Sequence, residues 1–429
     1  MGGAQYIGLI IPVLLLAVFV EFIVARYKKV EVYTLSDTLV NICCGTLERL
    51  FDFFWVVFMY FVFVWLYDNV SLWQIAQNPL TWVVALLFGD WLAYWHHRLS
   101  HEINFLWASH IVHHQSEELN LTTVFRVSVV AVINRSFFFI WMPILGFTPA
   151  FTISVTMFIG LFQFVTHSRL VKRLGFLEKI FVTPSHHRVH HARNEKYMDH
   201  NYGHVFIFWD KLHKTFVPEE EEPEYGITTG FESGSAYDAV LFYWKDLFTR
   251  AGRAKSFGDK VRVFLKGPRY TPEGVDFLPT NFKTDENGNR LRHQIPMPLD
   301  YGIYVFLNTL TTVGLFGSMF MLKKTFENPT MASLASDPRL VSLVVMVMFG
   351  IFTHGRMIER KVGAYLLEYV RLLSIALVLP MIFQSENNSM LLSGFAIGWA
   401  VINGAWLAQL LYKYGRNKKK SSLGEAVHS

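Results

Sequence analysis

The chemistry in this sequence is concentrated in its histidines. Of 17 copies, six lie between positions 96 and 114 and four between 186 and 191. They form three local patterns: His97-x-x-x-His101, His110-x-x-His113-His114 and His187-x-x-His190-His191, with His167 standing between the last two. Positions i, i+3 and i+4 share one face of a helix, so each pattern predicts a group of imidazoles projecting together. Three such faces supply eight ring nitrogens, and His167 a ninth. One metal ion cannot use so many donors, but two can.

Neutral imidazole binds iron, zinc and copper. Structural zinc usually closes with four ligands, often cysteines. Here the cysteines are only Cys43 and Cys44, adjacent within an apolar run, with no CxxC motif and no ordinary bridge available between them. The Glu-x-x-His pairs of soluble di-iron bundles are absent. An all-histidine pair of irons beside a bilayer suits oxygen activation against an unactivated lipid C–H, and copper fits the same donors. The outer imidazole N–H groups need acceptors. Asp90, two helical turns before His97, is the best-placed catalytic or supporting carboxylate, though it also reads as a polar residue near a helix end. His96 reads as a supporting residue and His186 as an outside candidate ligand. His200 and His204 read as pocket-lining or solvated, and His213, His293, His354 and His428 as incidental.

The elements that must position these groups are membrane segments. Hydrophobic residues make up 52% of the chain and charged residues only 17%, against about 25% charged in soluble domains. Apolar runs long enough to cross a bilayer lie at 6–24, 39–66, 80–95, 127–147, 150–165, 303–322, 340–352, 362–383 and 390–412. The expectation is an all-α integral membrane protein of about nine segments, with the 127–165 pair also readable as a hairpin that does not fully cross. The first run lacks the basic start and cleavage site of a signal peptide, so a retained helix is expected. Arg26, Lys28, Lys29 and the tail from Lys413 put the histidine-bearing ends on the cytosolic face by the positive-inside rule; Lys323 and Lys324 dissent. The net charge of +5 is accounted for by that face and calls for no nucleic acid. Arg126, Asn134 and Arg135 sit oddly in an apolar stretch. They line a polar pocket, or else their helix lies in the interface.

The three histidine motifs resemble those of the fatty acid hydroxylase superfamily, which includes sterol desaturases and hydroxylases. The flanking stretches 94–102 and 183–191, with Ser116–Asn120, Asn201-Tyr202-Gly203, Phe208–Lys211 and Lys266-Gly267-Pro268, are similar to its ether-lipid-cleaving branch. The resemblance extends over nearly the whole chain. It implies a monooxygenase using two irons, dioxygen and tetrahydrobiopterin to hydroxylate the alkyl carbon next to an ether oxygen, releasing a fatty aldehyde. Carried over, His97, His101, His110, His113, His114, His187, His190 and His191 would hold the metals, and His167 matches a further histidine. Glu102 matches a glutamate linked to pterin use; it also reads as a surface residue flanking a helix. Glu117 is the second candidate for holding that cofactor.

The organisation expected is a catalytic membrane domain over 1–300, whose section 169–300 is polar and cytosolic. A four-segment membrane domain over 301–412 and a basic tail over 413–429 would follow. No fused haem or iron–sulfur signature is present, so electrons arrive from outside, from a pterin or a redox protein. The other readings are a sterol or fatty-acyl hydroxylase or desaturase of the same superfamily and, remotely, a histidine-lined metal transporter. The compartment would be the endoplasmic reticulum or a bacterial inner membrane.

Overall fold

The computed structural model describes residues 3–277, 282–286, 290–291, 293–322, 330–384 and 389–415. Lys323, Lys324, His428 and the tail beyond residue 415 lie outside them. Among the described residues the regular elements are helices, with only isolated bridges such as Phe181–Phe206 and Ala192–Tyr225. The chain packs as two compact units, Met1–Glu232 with Asp238–Gln294, and Ser233–Tyr237 with Ile295–Ser429.

The first unit contains α1 (Gly3–Lys28), α2 (Leu35–Val70), α3 (Pro79–Glu102), α4 (Asn104–His114), α5 (Val129–Phe139), α6 (Trp141–Leu145), α7 (Pro149–Thr166), α8 (Pro184–His191) and α9 (Phe208–Leu212). It continues through most of α10 (Ala236–Arg253) and all of α11 (Phe257–Leu265). The second holds α12 (Leu299–Ser318), α13 (Met331–Ser336), α14 (Pro338–Ile358), α15 (Ala364–Ile382) and α16 (Ser389–Leu410).

Six helices among the described residues are long and apolar enough to cross a membrane: α2, α7, Leu299–Met321, α14, α15 and Met390–Gly415. The protein is therefore an integral, multi-pass membrane protein, and six of the nine expected segments are among these spans. The 127–147 run breaks into α5 and α6, and Val129–Leu145 is too short to span. Gly146 ends it in the left-handed region at φ 103°, where a Cβ would lie 2.0 Å from the Trp73 carbonyl oxygen. α3 is long, but its last turns carry Asp90, His96, His97, Arg98 and His101, which take it out of the apolar class.

α3 starts on Pro79 after Asn78. The Asn78 side chain accepts from the Thr81 N–H at 3.0 Å while the Thr81 hydroxyl accepts from the Asn78 N–H at 2.9 Å, a reciprocal cap. Ala85, Gly89 and Ala93 are buried at every fourth position. Small residues at that spacing let helices approach closely in lipid. A Cβ on Gly89 would lie 2.5 Å from Val155 Cγ1 of α7. Met59, Phe63, Leu92, Phe139, Phe151 and Ile159 pack around this contact, which seats the end of α3 against its neighbours.

The second unit has a polar interior. Arg371 donates to both oxygens of Glu368, Tyr304 donates to Glu368 at 2.9 Å, and Asn308 donates to Asn403 at 2.9 Å. Each of these side chains is buried.

Candidate metal centre

The end of α3, the short helices α4 and α8, and the end of α7 bring the imidazoles together. α3 ends at Glu102, Ile103 is extended (φ −121°, ψ 121°), and α4 begins at once. The bend is held from α11: the Asn104 side chain donates to the Val263 carbonyl at 2.8 Å and to Gly267 at 3.1 Å, and its backbone N–H donates to Lys266 at 2.9 Å. His97 and His101 on α3 thus face His110, His113 and His114 on α4. α8 starts on Pro184 and every residue in it is buried. Its His186 Nδ1 accepts the Thr183 N–H at 3.3 Å, so this histidine caps the helix and is turned away from the cluster. His187, His190 and His191 face inward, and His167 joins them from the end of α7.

The result is two groups of side chains able to hold a metal ion. His97, His101, His110, His114 and His190 form one, and His113, His167, His187 and His191 the other; within each, one candidate ligand atom per residue lies within 4.8 Å of the rest. All nine histidines singled out from their spacing are in one group or the other. Burial first, and neighbouring imidazoles second, hold His110, His114, His187, His190 and His191 well below the ordinary histidine range. The same causes act on His113. These rings are neutral near pH 7, as ligands must be.

Proton accounting tests whether the donors fit a cation. His113 Nδ1 donates to the Arg126 carbonyl at 3.3 Å and His167 Nδ1 to the Gln163 carbonyl at 2.7 Å. A neutral imidazole carries one N–H, so both Nε2 atoms present lone pairs, yet they lie 3.0 Å apart. Two lone pairs at that distance repel unless a cation lies between them. His97 and His190 follow the same rule, with Nδ1 donating to the Tyr202 carbonyl at 2.8 Å and the His200 carbonyl at 2.9 Å. The Nε2 atoms of His190 and His101 are buried without a partner. The remaining close pairs, His97–His110, His110–His114, His167–His187 and His187–His191, span 2.9 to 3.1 Å between Nε2 atoms. Cis ligands at ~2.1 Å from one ion lie about 3.0 Å apart in an octahedral shell. The donor set fits a six-coordinate first-row ion and fits iron.

The outer acceptors are mostly backbone carbonyls. Those of His200 and Tyr202 are presented by a loop in which Asp199 and Asn201 have φ of 60° and 57°, a region Asp and Asn tolerate better than most residues. Asp210 fixes that loop by accepting from the N–H groups of Tyr202 at 2.7 Å and Gly203 at 2.8 Å and from the Thr215 hydroxyl at 2.8 Å. The one carboxylate touching a clustered imidazole among the described residues is Asp199, 3.2 Å from His101 Nδ1.

Two of the expected carboxylates, Asp90 and Glu117, are engaged away from the imidazoles, and Glu102 lies at the surface. Asp90 reaches no imidazole; it accepts from the N–H groups of Val205 and Phe206 at 2.8 and 3.0 Å and from the Trp209 indole at 3.1 Å. The helical repeat places it on the side of α3 that faces the 205–209 segment. Glu117 is bound by Arg290 and accepts the His293 N–H at 2.6 Å, so its oxygens are committed inside the fold. Glu102 pairs with Arg98 at 2.8 Å and its side chain is 45% exposed. Arg126 is paired with Asp37 at 2.8 Å and Asn134 donates to Ser109 at 2.9 Å, so both are tied down inside the protein.

Asp199 was not singled out from the sequence, and Tyr202 and Asp210 entered only within family-like stretches, without a role. Tyr202 acts through its carbonyl, which no side-chain pattern reveals. The fatty acid hydroxylase family profile matches residues 82–215, which span every one of these groups. Alkylglycerol monooxygenase of Homo sapiens is 30% identical over 377 residues, 87% of this chain and 82% of that protein. The enzyme of the same name from Danio rerio is 29% identical over 345 residues, covering 80% of this chain and 75% of that one. An ornithine lipid hydroxylase of Rhizobium tropici is 30% identical over 206 residues, 45% of this chain and 57% of that protein. No solved structure matches.

Proposed function

The chain belongs to the fatty acid hydroxylase family, beside the alkylglycerol monooxygenases, and we propose that it oxidises an ether lipid at the alkyl carbon next to the ether oxygen. It is an oxidoreductase of the lipid-hydroxylating monooxygenase class. The observation that carries the metal-dependent reading is the His113–His167 pair, whose Nε2 lone pairs face each other at 3.0 Å within two compact groups of buried imidazoles. The ether-lipid substrate is supported by the likeness to the alkylglycerol monooxygenases. Two compact groups of this kind favour resident metals over a path for metal transport.

Two irons, when bound with dioxygen, supply the abstraction of an unactivated hydrogen and the delivery of one oxygen atom. His97, His101, His110, His114 and His190 would hold one ion, and His113, His167, His187 and His191 the other. The chain's part is to fix each ring through its Nδ1–H and to keep the rings neutral. Asp210 holds the carbonyls that do the fixing, and Asp90 anchors the segment that follows. One oxygen atom enters the C–H bond and the other leaves as water, with two electrons and two protons supplied from outside. The hemiacetal then collapses to a fatty aldehyde and a glycerol derivative. Tetrahydrobiopterin is the electron donor that suits this reading, and Glu102, the more exposed of the two candidate carboxylates, is its contact: a carboxylate can accept from the donor edge of a pterin ring. The basic flanks Arg26, Lys28 and Lys29 support a site facing the cytosol, in an endoplasmic reticulum or bacterial inner membrane.

The test is aerobic turnover of an alkylglycerol by iron-loaded, detergent-solubilised protein, with and without tetrahydrobiopterin, reading fatty aldehyde by mass spectrometry. Pterin-dependent aldehyde is expected, together with loss of both iron and turnover in His190→Ala. Iron-replete protein that yields no aldehyde would overturn the ether-lipid assignment and direct the search to another lipid and a protein electron donor.

A further inference from the structure

Helices α10 and α11 lie in the polar section of the chain, yet each leaves an apolar face uncovered. On α11, Phe257, Val261 and Leu265 recur every fourth residue and are 81%, 38% and 64% exposed. On α10, Leu241 and Phe248 are 45% and 64% exposed. The opposite faces are occupied: Tyr243, Asp246, Leu247 and Arg250 of α10 and Val263 of α11 are buried, and Arg250 pairs with Asp246. Aromatic contacts make the uncovered residues one surface. Phe105 of α4 meets Trp244 at 5.3 Å, Trp244 meets Phe248 at 6.3 Å, and Phe248 meets Phe264 at 5.6 Å between ring centroids.

The charge around this surface is predominantly basic. Lys245, Arg253, Lys255, Lys260, Arg262, Lys266 and Arg269 are all exposed, with Lys245 paired to Asp238. Asp246 is buried, and Asp259 is half-buried and engaged by Ser256, Arg262 and Tyr270. Glu273 and Asp276 add exposed acid in the segment that follows, so basic groups outnumber acidic ones. Exposed bulky apolar groups flanked by lysine and arginine suit the headgroup layer of a bilayer, where the apolar face enters the acyl boundary and the basic groups meet anionic lipid. An exposed apolar surface of this kind is uncommon facing water. Because the chain spans the membrane, that layer is always within reach.

We propose that α10 and α11 form a platform seated on the anionic headgroup layer of the membrane in which the chain is embedded. The platform is coupled to the site through Asn104, whose three hydrogen bonds to Val263, Lys266 and Gly267 hold the bend between His101 and His110. The metal centre is thereby fixed at a set depth relative to the lipid surface. That coupling gives a lipid-acting site a reference to the layer from which its substrate comes.

The experiment labels the full-length Phe257→Cys protein with a polarity-sensitive bimane in nanodiscs of phosphatidylcholine, with or without about one-third phosphatidylglycerol. Cys43 and Cys44 are buried and do not compete for the label. Blue-shifted emission is expected, quenched severalfold more by a spin label on the lipid chain than by iodide in water. Quenching should be stronger in anionic discs. It should fall in a Lys255→Gln, Lys260→Gln, Lys266→Gln, Arg269→Gln background. Leu265→Cys should report the same, while Glu220→Cys, on an exposed loop, should be quenched by iodide. Emission at 257 and 265 typical of water, with iodide the stronger quencher in both kinds of disc, would overturn the proposal. So would protection that appears only when a soluble acidic protein is added or when two copies share a disc.

Discussion

Asp210→Asn exchanges one carboxylate oxygen for an amide NH2 at the group that holds the carbonyl-bearing loop. The Asp210 carboxylate accepts three hydrogen bonds, from Tyr202 N–H and the Thr215 hydroxyl on Oδ1 and from Gly203 N–H on Oδ2. An asparagine can keep its oxygen toward Tyr202 and Thr215, but its NH2 then points at the Gly203 N–H, donor against donor. A Cβ on Gly203 would already lie 2.8 Å from Oδ2, so there is little space for the backbone to turn away. Leaving a buried donor unsatisfied costs about 1–3 kcal/mol. The strain is relieved by moving the loop, which carries the Tyr202 carbonyl off His97 Nδ1. Losing an outer partner of a metal-bound histidine typically lowers affinity about 10- to 100-fold, or ~1.4–2.8 kcal/mol. The two estimates are the same size, as they should be if one movement causes both. Iron retained per protein would be measured against a graded chelator series, beside thermal unfolding of the iron-loaded form. A weakened iron curve of that magnitude is expected. If the variant melts lower yet holds iron as tightly as the parent, Asp210 only stabilises the fold, and the assigned positioning role is wrong.

Acid should weaken the metal-free protein in a defined direction. The rings on α4 and α8 have their pKa lowered by burial, while unfolded histidine titrates near ~6.5. The unfolded state therefore binds protons first, and stability present above that value is lost as pH falls toward the folded pKa, by up to ~1.4 kcal/mol per pH unit for each ring. Chelator-stripped protein should melt progressively lower between pH 7 and 5, and a flat profile would contradict the buried, neutral assignment. In the second unit, Glu368→Ala should destabilise by about 3–5 kcal/mol because Arg371 is left charged and unpaired, whereas replacing both by apolar residues should recover much of that loss. Unfolding in detergent distinguishes the two; equal losses would mean the pair itself is not the issue.

Much of the site was legible before any coordinates because its donors are side chains in helices. The i, i+3, i+4 spacing of His97/His101, His110/His113/His114 and His187/His190/His191 depends only on the helical repeat, and so does the long apolar character of α2, α7 and the last four spans. The sequence alone determined that these rings come in facing groups, that they are too many for one ion, and that the chain lives in a membrane. It did not determine how nine rings divide into five and four. That division follows from how the helices pack, which brings His110 of α4 to His97 on α3 and His113 of the same helix to His167 at the end of α7. Nor could it show that Asp90 and Glu117 are spoken for inside the fold, since an acceptor's partners come from segments more than a hundred residues away. The carbonyls of His200 and Tyr202 were invisible for a deeper reason. Every residue has a carbonyl, and only a loop held in left-handed conformations at Asp199 and Asn201 decides which of them meet an imidazole.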